Sequence, residues 1–239
     1  MKLKKLIDNY LLTLAAAVLI IVFAILREQS FLKTLPTLVT LVVQLLLVRA
    51  NRYAFLLGGT NALLYAISYY TEGLYFSLIS ALAISVPLQF YSFFVWSHRR
   101  ERPGRGLRIL GVKWLSVTLI ATLAAWLICY FLLGGLFETA SYPLLDSYLF
   151  AASITVSLLS AWQFVESQFL SVLSCCLSLG LWIVLTLRNP ANINYVIIAA
   201  YNLYRITQAA VTWTQRYLQA KKEKENAAKL PVDETPEKA

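Results

Sequence analysis

Eight apolar segments, each long enough to cross a bilayer, occupy this chain from about Tyr10 to Trp213. No other feature limits the fold so tightly. A hydrocarbon core about 30 Å thick takes roughly 20 residues of helix to cross. Backbone N–H and C=O groups meet no water there, so only helices or a closed barrel satisfy them. The runs here are continuous and lack the alternation of barrel strands, so the sequence predicts an all-α membrane protein with eight transmembrane helices. The low charged fraction agrees: 14% of 239 residues, against roughly 25% in soluble domains.

The spans are expected at 10–26, 32–48, 53–71, 74–96, 109–133, 147–164, 168–187 and 194–214. The first is read as a retained helix. Its apolar run exceeds a signal-peptide h-region, and the flank LREQSF offers no small-residue cleavage site. Residues 32–97 and 147–217 each form a triplet of spans, and both triplets end on a tryptophan, Trp96 and Trp213, before a basic stretch. Their middle helices are both rich in small and polar residues, LLGGTNALLYAIS and LSVLSCCLSLGLW. One linker span within 109–146 separates them, which keeps the two units in the same orientation. The expected architecture is therefore a 3+1+3 parallel repeat of three-helix bundles behind an extra N-terminal helix, 1–31. Parallel repeats are a transporter architecture, with the site at the repeat interface. Trp96 and Trp213 are read as anchors at the membrane interface.

Positive charge sets the orientation. If both termini are cytoplasmic, all of the 21 basic residues except Arg27, Lys33, Arg188 and Arg205 lie on or near that side. They include the basic loop 98–108 and the charged tail 218–239, whose composition suggests a disordered end. The net charge of +9 thus follows the membrane rule. It is not gathered on one soluble face as a nucleic-acid surface requires, so no nucleic-acid partner is expected. The single histidine, His98, lies in the basic loop, and Cys129, Cys175 and Cys176 lie in spans without a CxxC pair. Neither a metal site nor a His-based catalytic pair is expected, and no cofactor is implied. No GxxxxGK[ST] loop is present, so the chain does not use ATP by itself. Two function classes stay open: a solute carrier, or a non-transporting binding subunit that serves an energised partner.

Polar residues within the spans nominate a lining. Asn61 and Tyr65 share one face of the third span, and Gln89 and Phe93 share one face of the fourth. Gln168, Ser171, Cys175, Ser178 and Trp182 form a stripe on the seventh, and Asn202 and Arg205 lie on the eighth. Serines in membrane helices commonly serve packing, and Arg205 can either snorkel to the interface or take part in function.

The stretches NRYAFLLGGTNALLYAISYYTEGLYFSL, PLLDSYLFAASITVSLLSAWQFVES and INYVIIAAYNLYRITQAAVTW resemble the PnuC nicotinamide riboside transporters over about residues 36–217. The resemblance implies a fold related to the SWEET sugar transporters, a homotrimer in the bacterial inner membrane, and facilitated diffusion of a vitamin or nucleoside. Phosphorylation inside the cell would then trap the cargo. It also implies substrate-binding roles for Asn61, Tyr65, Gln89, Phe93, Gln168, Ser171, Cys175, Trp182, Asn202 and Arg205. Several family positions differ. Phe93 stands where nicotinamide riboside carriers have a tryptophan, Gln168 and Ser171 replace two more, and Cys175 and Gln89 replace asparagines. Fewer indole rings leave less surface for a cationic pyridinium. The added amides and hydroxyls suit a neutral, hydrogen-bonding ligand. Nicotinamide riboside, a deoxynucleoside, thiamin and riboflavin all remain candidates.

Overall fold

The computed structural model describes residues 2–98, 107–133 and 142–229. Most of the basic loop, the segment containing Glu138 and the last ten residues lie outside the described residues. The helices are α1 (Lys2–Leu26), α2 (Phe31–Val48), α3 (Tyr53–Thr71), α4 (Tyr75–Ile79), α5 (Val86–His98), α6 (Val112–Ile128), α7 (Pro143–Ala161), α8 (Glu166–Arg188) and α9 (Ile193–Lys229). A π-helical stretch, Ser80–Ser85, joins α4 to α5 without a break, and another, Cys129–Leu133, extends α6. Pro87 follows the first of these closely. It lacks an N–H, and a widened turn accommodates that loss.

Five of these helical segments are long and apolar enough to cross a membrane: Phe31–Val48, Tyr75–Ser97, Val112–Phe131, Pro143–Ala161 and Glu166–Arg188. Helix α1 adds the shorter apolar stretch Tyr10–Leu26. Helix α3 is broken up by polar residues, and α9 has a polar second half. No residue of α6 is buried, as befits a helix that is apolar all round and stands at the edge of the bundle.

Six helical rods close into a ring. Helix α2 packs on α3, α3 on the α4–α5 rod, that rod on α7, α7 on α8, α8 on α9, and α9 back on α2. Helix α1 lies against α2 and α9, and α6 lies against α7.

Sharp turns hold this order. Helices α1, α2, α3 and α7 each end on a left-handed residue: Glu28, Ala50, Gly73 and Gln163, with φ of 48°, 49°, 68° and 66°. In each case the N–H of that residue and the N–H after it fold back onto the last-turn carbonyls. After α3, Gly73 N donates to Tyr70 O at 3.2 Å and Leu74 N to Tyr69 O at 2.9 Å. At the end of the ring that holds Arg108, the strand-like pair Arg108–Phe164 ties the approach to α6 onto the α7–α8 turn. Glu166 secures it by accepting from Leu110 N at 2.9 Å.

Two expectations are corrected here. Trp213 is not a lipid-interface anchor. Trp213 has no exposed surface, donates through Nε1 to Leu47 O at 3.3 Å, and meets Trp96 with ring centres 5.6 Å apart. Helices α5 and α9 bring these two rings to the same end of the ring of helices, where Trp96 stays partly exposed and covers the buried Trp213. The charged tail is also ordered further than expected. Helix α9 runs to Lys229, because Gln, Ala, Lys and Glu are strong helix formers and Lys221 pairs with Glu225 one turn on, at 3.9 Å.

Candidate functional site

The ring encloses a cavity of about 370 Å³, and every rod contributes to its wall. Helix α2 supplies Val43 and Gln44. Helix α3 supplies Gly58, Asn61, Ala62, Tyr65 and Tyr69. The α4–α5 rod supplies Ser77, Ser80, Ser85 and Gln89, the middle two from the π-helical stretch. Helix α7 supplies Leu149, Ser153 and Val156. Helix α8 supplies Ser171, Ser174, Cys175, Ser178, Leu181 and Trp182, and α9 supplies Ile206. The lining residues include no Asp, Glu, Lys, Arg or His.

Of the predicted site residues, Asn61, Tyr65, Gln89, Ser171, Cys175 and Trp182 are brought together here. Asn61 is 5% exposed. Its Nδ2 donates to Thr40 Oγ1 at 2.8 Å, and Thr40 passes its own hydrogen to Pro36 O at 2.8 Å. That chain leaves Asn61 Oδ1 as an acceptor, and it has no partner among the described residues. Gln44 Oε1 and Ser174 Oγ are likewise buried and unpartnered. Buried polar groups are normally paired, so three such atoms around one cavity mark where a ligand's polar groups belong. Gln44 was not singled out from sequence. The available signal was a lone amide in the apolar run VVQLLL, too common a pattern to read alone.

Aromatic rings close the end of the cavity away from Trp96 and Trp213. Trp182 stacks on Tyr195 with centroids 4.3 Å apart, Tyr65 stacks on Tyr69 at 5.8 Å, and Tyr195 donates to Ser68 Oγ at 2.6 Å. Leu74, Leu181 and Leu185 complete this plug.

The other four predicted residues lie off the lining. Phe93 packs with Tyr53 at 5.9 Å and beneath the Arg52 guanidinium. Gln168 is 2% exposed, one turn from Ser171, with a buried and unpartnered Oε1. Asn202 is one turn from Ile206, and its Oδ1 is also buried without a partner. Arg205 is 1% exposed at the seam between α9 and α1. There it donates to Gln208 Oε1 at 2.9 Å and Thr13 Oγ1 at 2.8 Å, and packs over the Tyr201 ring.

A cavity walled by six rods and lined with amides and hydroxyls is the setting in which the comparisons with known proteins bear. The family model described as nicotinamide mononucleotide transporter matches residues 30–216. The chain belongs to that family. It is also similar to the crystal structure of the vitamin B3 transporter PnuC, with 19% identity and a TM-score of 0.76. That similarity covers 89% of this chain and 93% of the other, and at this identity it is a likeness of fold. No curated protein matches the sequence. The chain is thus a multi-pass, all-helical member of a membrane-transporter family. The family match spans the whole ring, α2 to α9, and leaves α1 outside it. Helix α1 is attached by Ala16 and Ile20, buried against Leu41, Ile198 and Tyr201, and by Thr13, which bonds both Arg205 and the Tyr201 hydroxyl, the latter at 2.9 Å.

Proposed function

We propose that this protein carries a nucleoside-like vitamin or nucleoside that bears no phosphate group through the central cavity by facilitated diffusion. The observation that carries this reading is the lining: amides, serines and aromatic rings from five of the six rods, with no ionic side chain among them. Aromatic faces suit a planar base, and amides and hydroxyls suit a sugar and the polar edge of the base. A phosphate monoester would lose its hydration here and gain no cation in return. Nicotinamide riboside, a deoxynucleoside, thiamin and riboflavin are the cargo classes considered.

The ring order supports reading α2–α5 and α7–α9 as the two units of a SWEET-related 3+1+3 repeat, with α6 as linker. Alternating access then consists of one unit rocking against the other about the cavity. Gln168 and Asn202 sit one turn from lining residues and hold unpartnered buried oxygens. They are placed to meet the cargo as the helices shift, and Phe93 and Arg205 support the ring from outside the cavity. No carboxyl group lines the cavity to carry a coupled proton, so the cargo gradient drives uptake and phosphorylation inside the cell retains the product. The protein works as a homotrimer in the bacterial inner membrane.

Binding measured on the purified protein tests the lining argument. A nucleoside should bind at least tenfold more tightly than its 5′-monophosphate, and equal or tighter binding of the phosphate would overturn it. Orientation is tested separately. With both termini cytoplasmic, a cysteine at Glu28 is expected to react with an impermeant thiol reagent from outside intact cells, and one at Lys222 only after lysis. External labelling at both positions contradicts the assigned topology.

A further inference from the structure

We propose that Gly58 is a positioning residue for the cargo. It is the recess in which the Gln89 carboxamide is stowed, and it keeps that amide aimed along the cavity wall. The inference rests on the reading above that Gln89 contacts the cargo. Helices α3 and α5 run side by side, and a β-carbon built on Gly58 would stand 2.9 Å from Gln89 Cδ and Nε2, and closer still to Oε1. Real β-carbons do not approach other atoms that closely. The carboxamide therefore occupies space that any other residue at position 58 would fill. At the neighbouring glycine the contact differs. A β-carbon on Gly59 would meet the Phe90 ring at 3.3 Å and the Gln89 β-carbon at 3.4 Å, so Gly59 serves the packing of α5 on α3.

The clashing atoms at Gly58 are the far end of a flexible side chain. Gly58→Ala thus leaves the backbone in place and moves the amide. Helix α3 blocks retreat, and Gln89 and Gly58 both line the cavity, so the carboxamide turns into the space the cargo needs. The substitution also favours the helix, since alanine is the stronger helix former. Stability and affinity are expected to part company: one holds or rises while the other falls.

The test is a double-mutant cycle on the purified full-length protein, with affinity and melting temperature measured on each variant. The probe is whichever of nicotinamide riboside, thymidine, thiamin and riboflavin binds the wild type most tightly. Gln89→Ala and Gly58→Ala are each expected to weaken binding tenfold or more, and the double variant no further than Gln89→Ala alone. Gly58→Ala should melt no lower than the wild type. Should it melt lower, Gly58→Ala/Gln89→Asn, whose amide is one methylene shorter, is expected to regain both stability and part of the affinity. If Gln89→Ala weakens binding and a well-folded Gly58→Ala does not, the positioning role is wrong while the cavity reading stands. If Gln89→Ala leaves affinity unchanged, Gln89 does not contact the cargo, and both statements fall. Losses that add in the double variant would show that Gly58 acts independently of Gln89, which also overturns the proposal.

Discussion

Asp146→Ala is expected to lower the thermal stability of this protein by about 3 kcal/mol, a drop in melting temperature of roughly 6–12 °C. Asp146 stands in the first turn of α7 with no exposed surface. Its carboxyl group reaches across to the other half of the ring. It accepts from Phe76 N at 3.0 Å, from Ser77 N at 3.1 Å and from the Ser77 hydroxyl. These N–H groups open the α4–α5 rod, where no earlier turn of helix supplies acceptors. Truncation removes the carboxylate acceptor from both N–H groups, the Phe76 bond being buried and the Ser77 bond partly so, and the loss of the acceptor costs more than the bonds themselves contribute. The Ser80–Ser153 hydroxyl pair bridges the same two rods one turn deeper and cannot replace them. Asp146→Asn keeps one acceptor oxygen and should lose about half as much. Differential scanning fluorimetry on the detergent-solubilised protein measures both. A melting temperature for Asp146→Ala within 2 °C of wild type would mean that water already satisfies these groups.

The second large effect is on affinity. Asn61→Ala is expected to weaken cargo binding by about tenfold or more, which corresponds to about 1.4 kcal/mol or more. The Thr40 hydroxyl commits the amide nitrogen to α2, so the oxygen is left as a buried acceptor toward the cavity. A ligand donor that meets it bonds a buried oxygen that has no partner among the described residues. Because Asn61 also ties α3 to α2, the same variant should melt somewhat lower, and stability alone would not separate the two roles. Thr40→Val separates them. It removes the helix tie and keeps the Asn61 carboxamide. It should therefore lower the melting temperature as Asn61→Ala does and lose less affinity. Equal affinity losses in both variants would assign Asn61 to helix packing alone.

Much of this arrangement was legible in the sequence because a bilayer enforces simple rules. Apolar length marks five of the helical segments as long enough to cross a membrane, and of the stripe Gln168, Ser171, Cys175, Ser178 and Trp182 on α8 all but Gln168 line the cavity. What escaped depends on partners distant in the chain. Trp96 and Trp213 carry the composition of interface anchors and only the closed ring shows them in contact. Phe93 shares a helical face with Gln89, but it lies one turn further along α5 from the π-helical stretch and packs at Tyr53 and Arg52 beyond the cavity. Ser80 and Ser85 enter the lining from that stretch, whose wider turns break the 3.6-residue spacing used to assign faces. Three of the four left-handed helix stops are Glu28, Ala50 and Gln163, where the usual signal is glycine. Gln44 was hidden in an apolar run, and its value lies in an orphaned oxygen that only neighbouring helices reveal.

The central claim is that this protein, without an energised partner, moves a nucleoside-like cargo that bears no phosphate group down its gradient through the six-rod cavity. Uptake into liposomes that contain only this purified protein tests it most directly, using labelled nicotinamide riboside, thymidine, thiamin and riboflavin. At least one cargo should enter until internal and external concentrations are equal, with no further accumulation under an imposed proton or sodium gradient. Binding without any entry would identify a receptor subunit that depends on an energised partner. Accumulation above the external concentration would contradict facilitated diffusion.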